Sequence, residues 1–238
     1  MELQPIHDRY AIARWFELFA GIEHQWGASH RADCDIDIQT AENLARMARD
    51  WRLPPLFVNA SLGVILLEPD RFLNLLQASK TPHGGVIGIE LTEHGVDAKH
   101  EGALLDFARE AHERGFLVAL DDARGDHLFG DGLVERADGL IDLAKVDVRI
   151  PEFQELCRKF VALGIPVVAE GIESLQQLLS ASHATYLQGY LLTSLTPCPD
   201  IVFGHWRCLA AQEGIRLAFA RSGRAGLFDC LDPPAAFP

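Results

Sequence analysis

Basic residues are scarce in this chain of 238 residues: 21 Lys and Arg face 34 Asp and Glu, a formal net charge of −13 at pH 7 with histidine neutral. That sign excludes nucleic-acid polymers and anionic membranes as partners, since both are met by basic patches. Long apolar runs are absent too. None reaches the roughly 18 residues of a membrane span, and the opening MELQPIHDRY lacks the basic-then-apolar pattern of a secretory signal. The expected location is the cytoplasm. The five cysteines (Cys34, Cys157, Cys198, Cys208, Cys230) are odd in number and lack CxxC spacing. They predict reduced, partly buried thiols rather than a disulfide framework or a thiolate metal site. No HxH or HExxH spacing occurs, and His24, His30, His83, His94, His100, His112 and His127 read as surface or loop residues. Internal repeats and low-complexity segments are also missing.

What is present is ordinary globular composition, 48% hydrophobic and 23% charged, enough to bury a real core. Short apolar runs alternate with longer amphipathic ones. Strands are expected at Leu3–Ile6, Leu56–Ser61, Val86–Leu91, Phe116–Asp121, Leu140–Val146, Pro166–Glu170 and Tyr186–Leu191. Most are nearly unalternating, which suits strands buried on both faces of a parallel sheet. Helices are expected at Thr40–Trp51, Pro69–Ser79, Ala98–Arg114, Pro151–Leu163 and Ser174–Ser182, with Gly115 and Gly164 as C-caps after two of them.

Six successive apolar runs end in polar groups: Asn59, Glu90, Asp121 with Asp122, Lys145 with Asp147, Glu170, and Gln188. Their intervals of 31, 31, 24, 25 and 18 residues fit one βα unit apiece. In a (β/α)₈ barrel all strand carboxyl ends gather on one face, where such groups converge. A single acid after a strand is most often a helix cap or a solvated loop residue. All of them together read differently, because crowded carboxylates raise one another's pKa unless a cation compensates. Oxygen ligands from Glu, Asp and Asn point to a hard ion such as Mg²⁺ or Mn²⁺.

The segments QPI (Gln4–Ile6), FEL (Phe16–Leu18), VNAS (Val58–Ser61), ELTE (Glu90–Glu93), LDD (Leu120–Asp122), KVD (Lys145–Asp147), VVAEGIE (Val167–Glu173) and LQGYL (Leu187–Leu191) resemble, in order, the signature segments of EAL domains. Those are bacterial phosphodiesterases of cyclic di-GMP and their non-catalytic relatives. The resemblance implies an α/β fold, a TIM-like (β/α)₈ barrel of the EAL type with one antiparallel strand near its start. It also implies a site with two Mg²⁺ or Mn²⁺ ions that hydrolyses cyclic di-GMP to linear pGpG. By motif, Glu17, Asn59, Glu90 and Asp121 would hold one ion; Asp121 would bridge to a second placed by Asp122 and Glu170. Lys145 would hold the attacking water, with Glu170 and Asp122 completing the catalytic set. Gln4, Gln188, Glu93, Asp147 and Glu173 would support the site or the substrate.

The chain departs from the family pattern in reading Glu17-Leu18-Phe19 for Glu-Ala-Leu, with Gly21 where an Arg is common, and in the loop ARGDHLFGDGL after Asp122. The stretches between Glu17 and Asn59 and between Lys145 and Glu170 are short, so the barrel is expected to be somewhat trimmed. Residues 1–200 form it in this reading, and 201–238 supply a last helix and a tail packed on it. Two functions stay open: a phosphodiesterase, or an EAL-like domain that binds cyclic di-GMP or a protein partner without turnover. The loop Ala123–Leu133 is the candidate homodimer contact.

Overall fold

The computed structural model describes residues 2–10, 12–19, 29–50, 53–80, 86–124 and 131–195. Eight strands close a barrel in chain order: β1 (Glu2–Asp8), β2 (Ala13–Phe19), β3 (Leu56–Ala60), β4 (Ile87–Leu91), β5 (Leu117–Leu120), β6 (Leu143–Asp147), β7 (Val167–Glu170) and β8 (Tyr186–Leu187). Strand β1 runs antiparallel to β2 and β8, and the other pairings are parallel. This is the expected TIM-like barrel with one antiparallel strand near its start. Helices α1 (His30–Asp50), α2 (Leu62–Leu67), α3 (Pro69–Ser79), α4 (Glu101–Glu113), α5 (Asp131–Ala137), α6 (Phe153–Ala162), α7 (Leu175–Ser180) and α8 (Tyr190–Leu195) complete the chain order. Gly115 and Gly164 follow α4 and α6 at φ +73° and +80°, as the C-cap reading requires.

Several elements differ from expectation for identifiable reasons. The helix expected over Thr40–Trp51 begins at His30, because the Ser29 hydroxyl accepts the Ala32 N–H and the apolar stripe continues back through Ile38 and Cys34. The Asp37 carboxylate on that helix accepts the Ser61 N–H at 2.8 Å, tying α1 to the end of β3. Helix α2 starts where the Ser61 hydroxyl accepts the Val64 N–H, so the apolar run past Ala60 turns helical. The strand expected over Tyr186–Leu191 stops at Leu187, and Tyr190 opens α8. Part of the expected loop Ala123–Leu133 is α5, and residues 125–130 lie outside the described residues. So do Gly21, Cys198, Cys208, Cys230, His24, His83, His127 and the helix and tail expected over 201–238. Cys34 and Cys157 are free and fully buried, and burial pushes the Cys157 thiol up to about 12. His30 and His94 are exposed as expected, but His100 is half-buried, capping a turn begun by Asp97.

The barrel interior is built in layers by the period of two along each strand. Ile6, Phe57, Ala119, Leu143, Val168 and Tyr186 form one buried cluster, with Trp15 and Leu117 packed against it. Gly88 leaves the room that the Phe57 ring fills, since a Cβ there would stand 2.2 Å from Cε1 of that ring. Beside these residues, two positions on along each parallel strand, come Glu17, Asn59, Glu90, Asp121, Lys145, Glu170 and Gln188. On the reversed strand β1 the step runs the other way, from Ile6 to Gln4. The apolar layer plugs the barrel, and the polar layer sits on top of the plug. A larger core between the strands and the helices, with Leu56, Phe72, Leu73, Phe116 and Phe160 fully buried, holds the outer wall.

His7, next to Ile6 on β1, is 1% exposed. Burial pushes its imidazole down to about 4, against the pull of the neighbouring Asp8. The unfolded chain therefore binds a proton near pH 6.5 that the folded one refuses until about pH 4. Stability present above pH 6.5 is lost as the pH falls through that window, by up to roughly 3 kcal/mol. Urea denaturation at pH 7 and pH 4.5 should show this loss, and His7→Leu should flatten it; equal slopes for the two proteins would count against the assignment.

Candidate functional site

The parallel strands place their carboxyl ends on one face, and β1 contributes its amino-terminal half there because Gln4 lies opposite Glu17 in the antiparallel register. Lys145 on β6 is at the centre. Its Nζ stands 2.9 Å from Glu17 Oε2, 3.0 Å from Glu90 Oε2, 2.7 Å from Asp121 Oδ1 and 3.2 Å from Glu170 Oε2. Glu17 is the hub on the opposite wall. It also accepts from Asn59 Nδ2 at 3.2 Å and from Gln188 Nε2 at 2.6 Å, and that amide donates to Gln4 Oε1 at 3.0 Å.

Asp121 and Asp122 follow β5 directly, and Asp122 turns through φ 48°, a conformation aspartate tolerates. This redirects the chain so that both acids line a pocket of about 450 Å³ together with Glu17, Lys145 and Glu170. Asp147 and Glu173 sit at the pocket wall rather than in the ring. Both oxygens of Asp147 accept from Arg149 at 2.6–2.9 Å, and Glu173 stands 3.7 Å from Arg149 Nη1. Glu93 lies beside the ring, paired with His94 Nδ1 at 3.2 Å.

The electrostatics follow from one ammonium among four carboxylates. Burial alone would neutralise Lys145, but attraction to Asp121, Glu17, Glu170 and Glu90 holds its pKa well above the ordinary value. Burial raises Glu90, 0% exposed, and repulsion from Glu17 and Asp121 adds to this against the pull of Lys145. Glu170 is raised the same way, by burial first and by Asp121, Asp122 and Glu17, with Lys145 opposing. Glu93 reaches about 7, through burial and the charges of Asp121 and Asp122. Fully ionised, the ring carries three negative charges more than Lys145 can cancel.

That excess, the all-oxygen donor set and four buried acceptors with no donor, Asn59 Oδ1, Glu90 Oε1, Glu93 Oε2 and Gln188 Oε1, fit a hard divalent cation. Among the described residues no group of three or more His, Cys, Asp or Glu is arranged to hold an ion as the side chains lie. The Lys145 ammonium already takes the oxygens an ion would use, so the two compete. Residues assigned no site role from the sequence also line the pocket, namely Phe19, Arg124, Arg149 and the 68% exposed Tyr190. Their signal was position, each lying two residues after a site residue already singled out: Glu17, Asp122, Asp147 and Gln188.

No protein-family model and no curated protein matches the chain. Solved structures do. The Bacillus subtilis YkuI protein with an EAL domain, in complex with cyclic di-GMP and calcium, matches with TM-score 0.70 and 18% identity over 95% of this chain and 62% of that one. The PaMucR phosphodiesterase in complex with cyclic di-GMP matches with TM-score 0.61 and 18% identity over 79% of this chain and 88% of its own. The Xanthomonas citri FimX EAL domain, also with cyclic di-GMP, matches with TM-score 0.56 and 16% identity over 80% and 85%. At these identities the likeness establishes the fold, which is that of EAL domains. No helix among the described residues is long and apolar enough to cross a membrane.

Proposed function

We propose that this EAL-type barrel is a metal-dependent phosphodiesterase that hydrolyses cyclic di-GMP to linear pGpG in bacterial second-messenger signalling in the cytoplasm. The observation that carries the reading is the ring itself: Glu17, Glu90, Asp121 and Glu170 come from four different strand ends and meet around Lys145, with Glu17, Asp121, Lys145 and Glu170 lining a pocket and Glu90 buried beneath them. Crowding of this kind destabilises a fold, so its presence in a cleft marks a working site. The same fold in neighbours that bind cyclic di-GMP supports the choice of substrate.

In the reaction a water oxygen attacks one phosphorus and the bond to the 3′ oxygen breaks, so the ring opens and a 5′ phosphate remains. Ions held by Glu17, Asn59, Glu90 and Asp121, and by Asp121, Asp122 and Glu170, would supply Lewis acidity and offset the charge of the phosphate. Glu170 is 15% exposed, lines the pocket and stands 3.2 Å from Lys145 Nζ, a position from which its carboxylate can hold an ion or orient the attacking water. Lys145 supplies a fixed positive charge at the floor. Gln188, bonded to both Glu17 and Gln4, fixes the orientation of Glu17. Asp147 and Glu173 shape the wall through Arg149.

Purified protein with cyclic di-GMP and Mg²⁺ or Mn²⁺ should form pGpG, read by chromatography, and chelation should stop it. No product with either ion at micromolar enzyme would overturn the reading. A second reading, a cyclic di-GMP receptor without turnover, draws on the position of Lys145, which competes with an ion for the same carboxylates. Calorimetry separates them: binding without pGpG is the receptor. Gel filtration with and without ligand tests the homodimer proposed through Ala123–Leu133.

A further inference from the structure

A substrate with two phosphates can present only one to the metal-binding floor, and the pocket wall must meet the other. The described residues lining the pocket include three cations: Lys145, Arg124 and Arg149. Lys145 is 2% exposed and engaged by four carboxylates, so it has nothing left for a second phosphate. Arg149 differs. It is 55% exposed, and Nε and Nη2 are locked in a two-pronged pair with Asp147, which fixes the plane of the guanidinium. Nη1 stands 3.7 Å from Glu173 Oε1, beyond hydrogen-bond reach, so its donors remain for a ligand. Arg124, exposed and just past Asp122, lies near enough for its charge to act on Asp147.

The wall is shaped to hold this pair. A Cβ on Gly171 would stand 3.0 Å from Asp147 Oδ1 and 3.2 Å from Arg149 Nε, so a side chain there would crowd the pair and require it to shift by a few tenths of an ångström. Gly171 also has φ +68°, which favours glycine independently.

Resting on the phosphodiester reading above, we propose that Arg149, oriented by Asp147 and seconded by Arg124, is the contact for the phosphate of the cyclic dinucleotide that is not being cleaved. Asp147 is then a positioning residue for Arg149. Arginine suits the task because a guanidinium held by one carboxylate still offers a fork edge to another oxyanion.

The test is calorimetric titration of the full chain with cyclic di-GMP in Ca²⁺, alongside guanosine, which carries no phosphate. Arg149→Ala should raise the Kd for cyclic di-GMP about tenfold or more, the loss of charge-assisted hydrogen bonds, and leave guanosine binding unchanged. Arg124→Ala should have a smaller effect in the same direction, and Arg158→Ala, on the outer helix α6, none. The double variant Arg149→Ala with Asp147→Asn should bind as weakly as Arg149→Ala alone. Recovery of wild-type affinity in the double variant would mean that Arg149 only neutralises Asp147, and would overturn the proposal. Equal binding by wild type and Arg149→Ala would overturn it while leaving the substrate reading intact. No binding of cyclic di-GMP by wild type would overturn both.

Discussion

Lys145→Ala is expected to cost about 3–5 kcal/mol of folding stability in metal-free buffer, and to regain much of it when Mg²⁺ or Mn²⁺ is added. Four carboxylates lie within 3.2 Å of the Lys145 ammonium, and Glu17 and Glu90 are almost without solvent contact. Removing the cation leaves that group unpaired, and breaking a buried ion pair from one side costs this much because the remaining charge stays desolvated. Part of the cost is relieved by protonation, since Glu90 and Glu170 are already raised by burial and by their neighbours. A divalent ion relieves it more fully, taking the oxygens the ammonium releases. The measurement is a denaturant melt of wild type and variant, each with chelator and with millimolar Mn²⁺. The gap between the proteins should be wide in chelator and narrow in metal. A gap under about 1 kcal/mol in chelator would show that the ring is not the strained cluster the distances describe.

The six strand ends named from the sequence were legible because each followed a short, nearly unalternating apolar run, and the register turned their intervals into one face. Glu17 was legible only through the motif that contains it. Strand β2 reads Ala-Arg-Trp-Phe-Glu-Leu-Phe, where Arg14 and Glu17 break the apolar run that marks the other strands. The step from a plug residue to a ring residue two positions on, as in Trp15 to Glu17 or Phe57 to Asn59, was written in the sequence all along. It becomes visible only when the closed barrel shows which alternate residues face inward. Helix α1 was missed at its start for a related reason: Asp33, Asp35 and Asp37 look like a solvated run, whereas Asp33 and Asp37 are buried and Asp37 is used to dock the helix on Ser61. Competition between Lys145 and a metal could not be read from spacing, because it depends on five side chains from five strand ends reaching one point.

Glu17→Ala is expected to abolish pGpG formation, a loss on the order of 10³-fold or more and so about 4 kcal/mol of transition-state stabilisation, while leaving the fold nearly as stable as wild type. The asymmetry with Lys145 is one of sign. Glu17 is one of four negative groups around a single positive one, and its removal lowers the repulsion that raises Glu90 and Glu170. Lys145 keeps Glu90, Asp121 and Glu170 and stays charged. What is lost is the hub: the Asn59 and Gln188 amides and Lys145 all converge on the Glu17 carboxylate, and Asn59 and Gln188 would then have no common partner holding them. Mn²⁺ titration should show weakened binding in Glu17→Ala, independent of any assay of turnover, and the melt should gain little from added metal. Turnover within tenfold of wild type would sink the assignment of Glu17. The pair of variants separates two origins for the ring. A cluster kept only for packing would tolerate neither change and would respond to no ion, whereas a metal centre makes Lys145→Ala unstable and metal-rescued, and Glu17→Ala stable and metal-blind.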